Sequence, residues 1–160
     1  MPAFMKLGDI KGESTDQGHK DWILIESMSS PIYRNIPEGA RDNERMRGRT
    51  TIGDVVCVRQ LDKSSVKLQE ACANGTFFKE VEIHLCSQVK NKAEPYLKYK
   101  LENVIITSYS FHGTADGGKP SEEITMNYTK VTWTFMLLNK DSGAGEGQVE
   151  TKFDLGAHKS

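Results

Sequence analysis

The 160-residue chain sets 21 Lys and Arg against 22 Asp and Glu, for a net charge of −1, and is 37% hydrophobic. That length suits one domain with a sizeable core, and the balanced charge exerts no overall pull toward nucleic acid or anionic lipid. Apolar runs such as Phe135–Leu138 are far shorter than the ~18 residues of a membrane helix, so no membrane insertion is expected. Met1–Ile10 also lacks the basic-then-apolar order of a secretory signal.

Along the chain, weak strands are expected near Phe4–Ile10 and Trp22–Ser30. Between them, Gly8-Asp9-Ile10-Lys11-Gly12 lacks phosphate-loop spacing and reads as a turn at a strand end. Tyr33–Thr50 has no apolar period and holds Arg34, Arg41, Arg45, Arg47 and Arg49, five of the six arginines, so an extended loop is expected there. Glu38, Asp42 and Glu44 interleave with those arginines, a mixed-sign pattern suited to a protein surface and not to nucleic acid. A third weak strand falls near Thr51–Leu61. Asp62-Lys63-Ser64-Ser65 then supplies cap side chains for a short helix with Val66, Leu68, Ala71 and Cys72 on its apolar stripe, stopped at Asn74-Gly75.

Phe77–Val89 alternates cleanly, with Val81, Ile83, Leu85 and Val89 on one face and Glu80, Glu82, His84 and Gln88 on the other. Tyr96–Phe111 repeats the pattern with Leu97, Tyr99, Leu101, Ile105, Tyr109 and Phe111 on one face. Val104 and Ile106 are left on the polar face, either for a neighbouring subunit or for the domain's own helix. Asp116-Gly117-Gly118 reads as a hairpin turn. Ile124–Leu138 changes phase midway, which predicts a β-bulge near Thr129-Lys130. Gly-rich Asn139–Gln148 reads as a flexible connection to a closing strand over Val149–Leu155. The fold class expected is mainly β, a single-domain β-barrel of long antiparallel strands spanning 1–160, with one short flanking α-helix and an extended loop at 33–50.

The chemistry-bearing residues form no constellation in the sequence. Cys57, Cys72 and Cys86 include no CxxC pair, which favours free thiols over a disulfide framework. His84 and Cys86 alone could make half a metal site, and no metal or cofactor is expected. His19, His84, His112 and His158 are scattered, and no GxSxG or HExxH motif provides a nucleophile or zinc ligands, so no catalytic residue is assigned. A monomeric β-barrel binding module and a small hydrolase using one of the histidines stand as the alternatives.

Three blocks carry a family resemblance. Lys6-Leu7-Gly8-Asp9-Ile10-Lys11-Gly12-Glu13-Ser14 with His19-Lys20, then Asp62-Lys63-Ser64-Ser65-Val66-Lys67-Leu68 with Glu70-Ala71-Cys72 and Gly75, then Glu123-Ile124-Thr125-Met126-Asn127-Tyr128 with Val131-Thr132-Trp133, together resemble the Hcp (haemolysin co-regulated) proteins. These are the tube subunits of type VI secretion systems. The Arg-rich Tyr33–Thr50 departs from the family's Gly- and Ser-rich pattern. The resemblance implies a non-enzymatic homo-hexamer whose rings stack, with secreted effectors in the lumen and the spike protein, sheath and baseplate as partners. It implies residence in the bacterial cytoplasm before firing, then export to the medium or a target cell. Some relatives carry fused C-terminal toxin domains, and with four residues after Gly156 none is expected here. Ser27 and Ser29 fall where the family's strand faces the channel, as effector-binding candidates. Arg41, Arg45, Arg47 and Arg49 lie in the loop that reaches the adjacent ring.

Overall fold

The computed structural model describes residues 2–46 and 49–156, with Arg49 by its backbone only. Arg47, the Arg49 side chain and His158 therefore lie outside the described residues. The elements are β1 (Ala3–Leu7), β2 (Ile23–Ile25), β3 (Ser27–Ser29), β4 (Ile32–Asn35), α1 (Asp42–Met46), β5 (Arg49–Ile52), β6 (Val55–Gln60), α2 (Ser65–Asn74), β7 (Phe77–Val89), β8 (Lys92–His112), β9 (Ser121–Asn127), β10 (Lys130–Leu138) and β11 (Gly145–Asp154). The mainly-β class read from the alternation holds.

Strand β8 is the spine of a nine-stranded antiparallel sheet. One of its edges pairs with β7, joined through a tight turn in which Lys90 and Asn91 both take positive φ, as a two-residue hairpin requires. Its other edge is shared, with β10 along Leu97–Glu102 and β9 along Ile105–His112. Between those partners Asn103 adopts φ 58, a left-handed geometry Asn tolerates, and its Nδ2 donates to Thr129 Oγ1 at 2.8 Å.

That kink corrects two expectations. It moves Val104 and Ile106 into the core alongside Leu101 and turns Ile105 outward, 39% exposed, so Val104 and Ile106 are not a surface for a neighbour. The phase change near Thr129-Lys130 is likewise not a bulge within one strand. It is the break between β9 and β10, where Thr129 N–H donates to Glu102 O at 3.1 Å and Thr129 O accepts from Leu155 N–H at 2.8 Å.

The sheet path runs β2-β1-β7-β8-β9-β6-β3. Its two ends are neighbours in the chain: the single strand expected over Trp22–Ser30 is divided at Glu26, with β2 bonded to β1 and β3 bonded to β6. The ladder is therefore not a continuous closed ring, although Glu26 N–H reaches Val58 O at 2.9 Å. The strand expected over Thr51–Leu61 is divided too, at Gly53-Asp54. Inside sits the core of Met5, Leu7, Ile23, Ile25, Val55, Cys57, Val81, Ile83, Leu101, Val104, Ile106, Ile124, Met126, Tyr128 and Val131, covered by Leu68 and Ala71 of α2. Val66, expected on that helical stripe, is exposed, and Cys72 is half-buried against the core. Gly75 ends α2 at φ 63, with its N–H directed at the last carbonyls.

The segment 33–50 is not a structureless loop. β4 and β5 pair antiparallel from Ile32↔Ile52 to Asn35↔Arg49 and carry the short α1 beyond them, forming an arm apart from the main sheet. Its two strands bond to each other, and the β4 side chains are all exposed, so no apolar period marks that strand, while Ile52 of β5 packs against the core. The flexible connection expected at Asn139–Gln148 shrinks to 139–144 because β11 starts at Gly145. Asn139 Oδ1 orders that turn by accepting from the N–H groups of Asp141 and Ser142.

Candidate functional site

Ser27 and Ser29 are exposed on β3, with Met28 between them turned toward the core. The pairing register extends each serine into a row across four strands: Ser27, Val58, Glu123 and Ser110 in one, Ser29, Val56, Thr125 and Ser108 in the other. The result is a solvent-facing surface of short, mostly small side chains with no large apolar anchor. Ser108, Ser110 and Thr125 joined it without being singled out in the sequence, because the register shift between Ile106 and Ser108 decides their partners and period alone cannot place that shift. At the border, Asp54 accepts from Thr107 Oγ1 and Asn127 Nδ2, each at 2.9 Å.

On the arm, Arg41 precedes α1 and its N–H donates to Glu44 Oε2, while Arg45 reaches Asp42 at 3.6 Å with both side chains well exposed. Arg34 is held by the Met46 carbonyl at 2.6 Å. Ile32, Tyr33, Ile36 and Met46 are exposed alongside, Met46 at 77%. The arm thus presents guanidinium groups and apolar side chains on one small projection.

The sixth arginine is the opposite case. Arg59 on β6 is 1% exposed and sits against Glu122 of β9, which is fully buried. Its second terminal nitrogen pairs with Asp62 at 2.6 Å, and Nε donates to Leu24 O of β2 at 3.1 Å. Burial would raise the Asp62 carboxyl, but hydrogen bonds and charge from Arg59 and Ser64 hold it below its ordinary value. Tyr109 donates to Glu122 from β8; burial and that carboxylate push its hydroxyl up to about 12. One guanidinium therefore links β2, β6, β9 and the turn into α2 at the place where the ladder is interrupted.

Two histidines that the sequence scatters are brought together. His19 Nε2 and His84 Nδ1 lie 2.9 Å apart, and His19 Nδ1 is 2.7 Å from Asp16 Oδ2. His19 stacks on Phe4 at 4.3 Å and meets Trp22 edge-on at 4.8 Å. The two residues are 65 positions apart, and only the period-two pattern of β7, which puts His84 on its polar face, was visible beforehand. His84 and Cys86 do not form half a metal site. His84 is engaged by His19, while Cys86 packs with Phe4 and Ala93. Burial pushes the Cys57 and Cys86 thiols up to about 12. Among the described residues no group of three or more His, Cys, Asp and Glu side chains could hold a metal ion.

Such a fold, long antiparallel strands around one core with an arginine-bearing arm and a small-residue outer face, defines a mainly-β protein organised around surfaces. Residues 4–135 match the family described as "Type VI secretion system effector, Hcp". The protein Hcp1 of Pseudomonas aeruginosa is 25% identical over 152 residues, covering 95% of this chain and 93% of that one. A solved type six secretion system protein superposes with TM-score 0.87 at 26% identity, covering 99% of this chain and 98% of the other. A type VI secretion system effector from Yersinia pestis gives 0.74 at 26% identity, covering 95% and 98%. The chain belongs to the Hcp family. It is a structural, secreted component of the type VI secretion tube and not an enzyme.

Proposed function

We propose that the chain acts as one domain over its whole length and assembles into six-membered rings that stack into the tube. In this reading the β3–β6–β9–β8 face lines the lumen, and the arm joins ring to ring. Support for the lumen rests on a single observation, the two rows of small side chains through Ser27 and Ser29. A wall that holds varied effectors and then lets them go favours short polar groups over apolar anchors, which would bind one cargo tightly and release it slowly. Rings arise from heterologous contacts whose rotation closes. Arg41, Arg45, Arg47 and Arg49 supply forked donors for carboxylates of the next ring. The wider partners are effectors, spike protein, sheath and baseplate, met in the bacterial cytoplasm before export.

Light scattering and negative-stain microscopy of the purified chain test this. Closed rings of six 17.9 kDa subunits, roughly 107 kDa, are expected. A monomer at micromolar concentration would sink the assembly reading in favour of a monomeric binding module. Ser29→Arg is expected to leave rings intact and lower effector retention; retention unchanged in intact rings would move the cargo surface elsewhere.

A further inference from the structure

The assembly and cargo surfaces proposed above leave the His19–His84 contact unused. The segment 11–22 folds on itself through Gly12 N–H to Asp21 O (2.8 Å), Asp21 N–H to Ser14 O (2.9 Å) and Ser14 N–H to Trp22 O (3.1 Å). It is fastened to β7 by the two imidazoles, and Asp16 also accepts from the Ala93 N–H at the far end of the β7–β8 hairpin.

Hydrogens can be counted along this chain of groups. Burial would raise the Asp16 carboxyl, but the His19 bond and the backbone N–H groups of Ala93 and Gly18 hold it low, so it is ionised and accepts only. His19 Nδ1 must then carry a hydrogen. The 2.9 Å gap between His19 Nε2 and His84 Nδ1 has room for one hydrogen more. With both rings neutral that hydrogen sits on His84, leaving its Nε2 bare before Glu82 Oε2 at 3.6 Å. One added proton fills His84 Nε2 and keeps the bridge. A second puts N–H against N–H across the gap.

We infer that Asp16, His19 and His84 form a latch that tolerates one added proton, holds segment 11–22 on β7 near neutrality and releases it in mild acid when the second proton arrives. The surroundings of His84 sharpen the effect. Glu82 lies on its own strand, Lys98 is its register partner on β8, and Thr134 and Glu150 continue that row on β10 and β11. Its β1 register partner, Phe4, is uncharged. Burial first, then the charges of His19 and Lys98, hold His84 at about 4, against an ordinary value of 6.5. The closed state therefore takes up fewer protons than the open one between those values, so opening gains as pH falls below about 6.5 and levels off near 4. Counting the His84 step alone, the open-to-closed ratio at pH 5 should exceed its value at pH 7.5 on the order of thirtyfold. Phe4, Cys86, Ala93 and Trp22 form a cluster separate from the main core, so the segment can lift without opening the barrel.

Native-state hydrogen exchange on the purified full chain reads this directly. After correction for intrinsic rates, opening at the Ser14 and Trp22 amides should rise about thirtyfold from pH 7.5 to 5, while Ile83 and Leu101 hold constant. A uniform change, or none, overturns the latch. His84→Gln keeps a polar side chain that does not titrate and should flatten the response; a response that persists in a folded H84Q protein also overturns it. If that variant does not fold, ring-carbon NMR of the unaltered protein decides. Two separated protonation steps are expected, and one shared step near 6.5 refutes the inference.

Discussion

Arg59 and Arg45 carry the same guanidinium into opposite settings. Arg59 is sealed between two carboxylates and a carbonyl where β2, at one end of the sheet path, meets β6, next to the other end, whereas Arg45 stands on the arm with one carboxylate at 3.6 Å and solvent around it. In the first setting the charge is committed to the fold, because removing it would strand buried carboxylates. In the second, water does most of the solvating and the group remains free for a partner. Burial, not residue type, separates an arginine that builds the subunit from arginines that serve its contacts.

Substitutions can test that division, starting with the largest effect. Arg59→Met should cost about 3–5 kcal/mol, since Glu122 and Asp62 lose their counter-charge inside the protein. Urea unfolding measures it, and a cost below about 1 kcal/mol would show that the seam does not depend on the pair. Asp62 gives the acid limb its sign. Asp62 is held low in the folded state, so its contribution is present above its ordinary value of 3.8 and is lost as pH falls through the lower folded value. Gly12→Ala should cost about 1–3 kcal/mol by overpacking, because an added Cβ would lie 2.4 Å from Trp22 O and 2.6 Å from Ile23 Cα, both backbone atoms. A thermal midpoint unchanged in that variant would mean the segment moves aside freely.

Cys72→Ala should cost on the order of 1 kcal/mol, as a half-buried thiol that packs without chemistry. Adding reductant should leave the melting curve unmoved. Last on the stability scale, Arg41→Glu with Arg45→Glu should change unfolding by under about 0.5 kcal/mol, yet shorten or abolish tubes under the microscope. Normal tubes from that double reversal would return the arm's arginines to solvent.

The long strands were legible because β7 and the first half of β8 each have one wet and one dry face. Legibility failed where backbone geometry broke the period. At Asn103 a single left-handed residue exchanged the faces, so Val104 and Ile106 looked like surface and Ile105 like core. The arm failed for another reason: β4 is exposed on both faces and bonds to β5 without alternating its side chains. Arg59 gave no signal either, since its partners lie on β2, on β9 and in the turn before α2, a meeting that only the tertiary fold produces. Ser27 and Ser29 were placed by family resemblance, while Ser108, Ser110 and Thr125 needed the register.

The division of one segment between both ends of the sheet also sets an order of folding. β7–β8 and β10–β11 are hairpins whose strands meet across short turns and can form early. β1 and β6 need β7 and β9, strands about 70 residues further along the chain, and loop closure over such spans is slow. During synthesis the N-terminal strands emerge first and wait as unpaired edges until their partners arrive. The seam held by Arg59 is thus expected to form late, and the waiting interval is when pairing with another chain competes with folding.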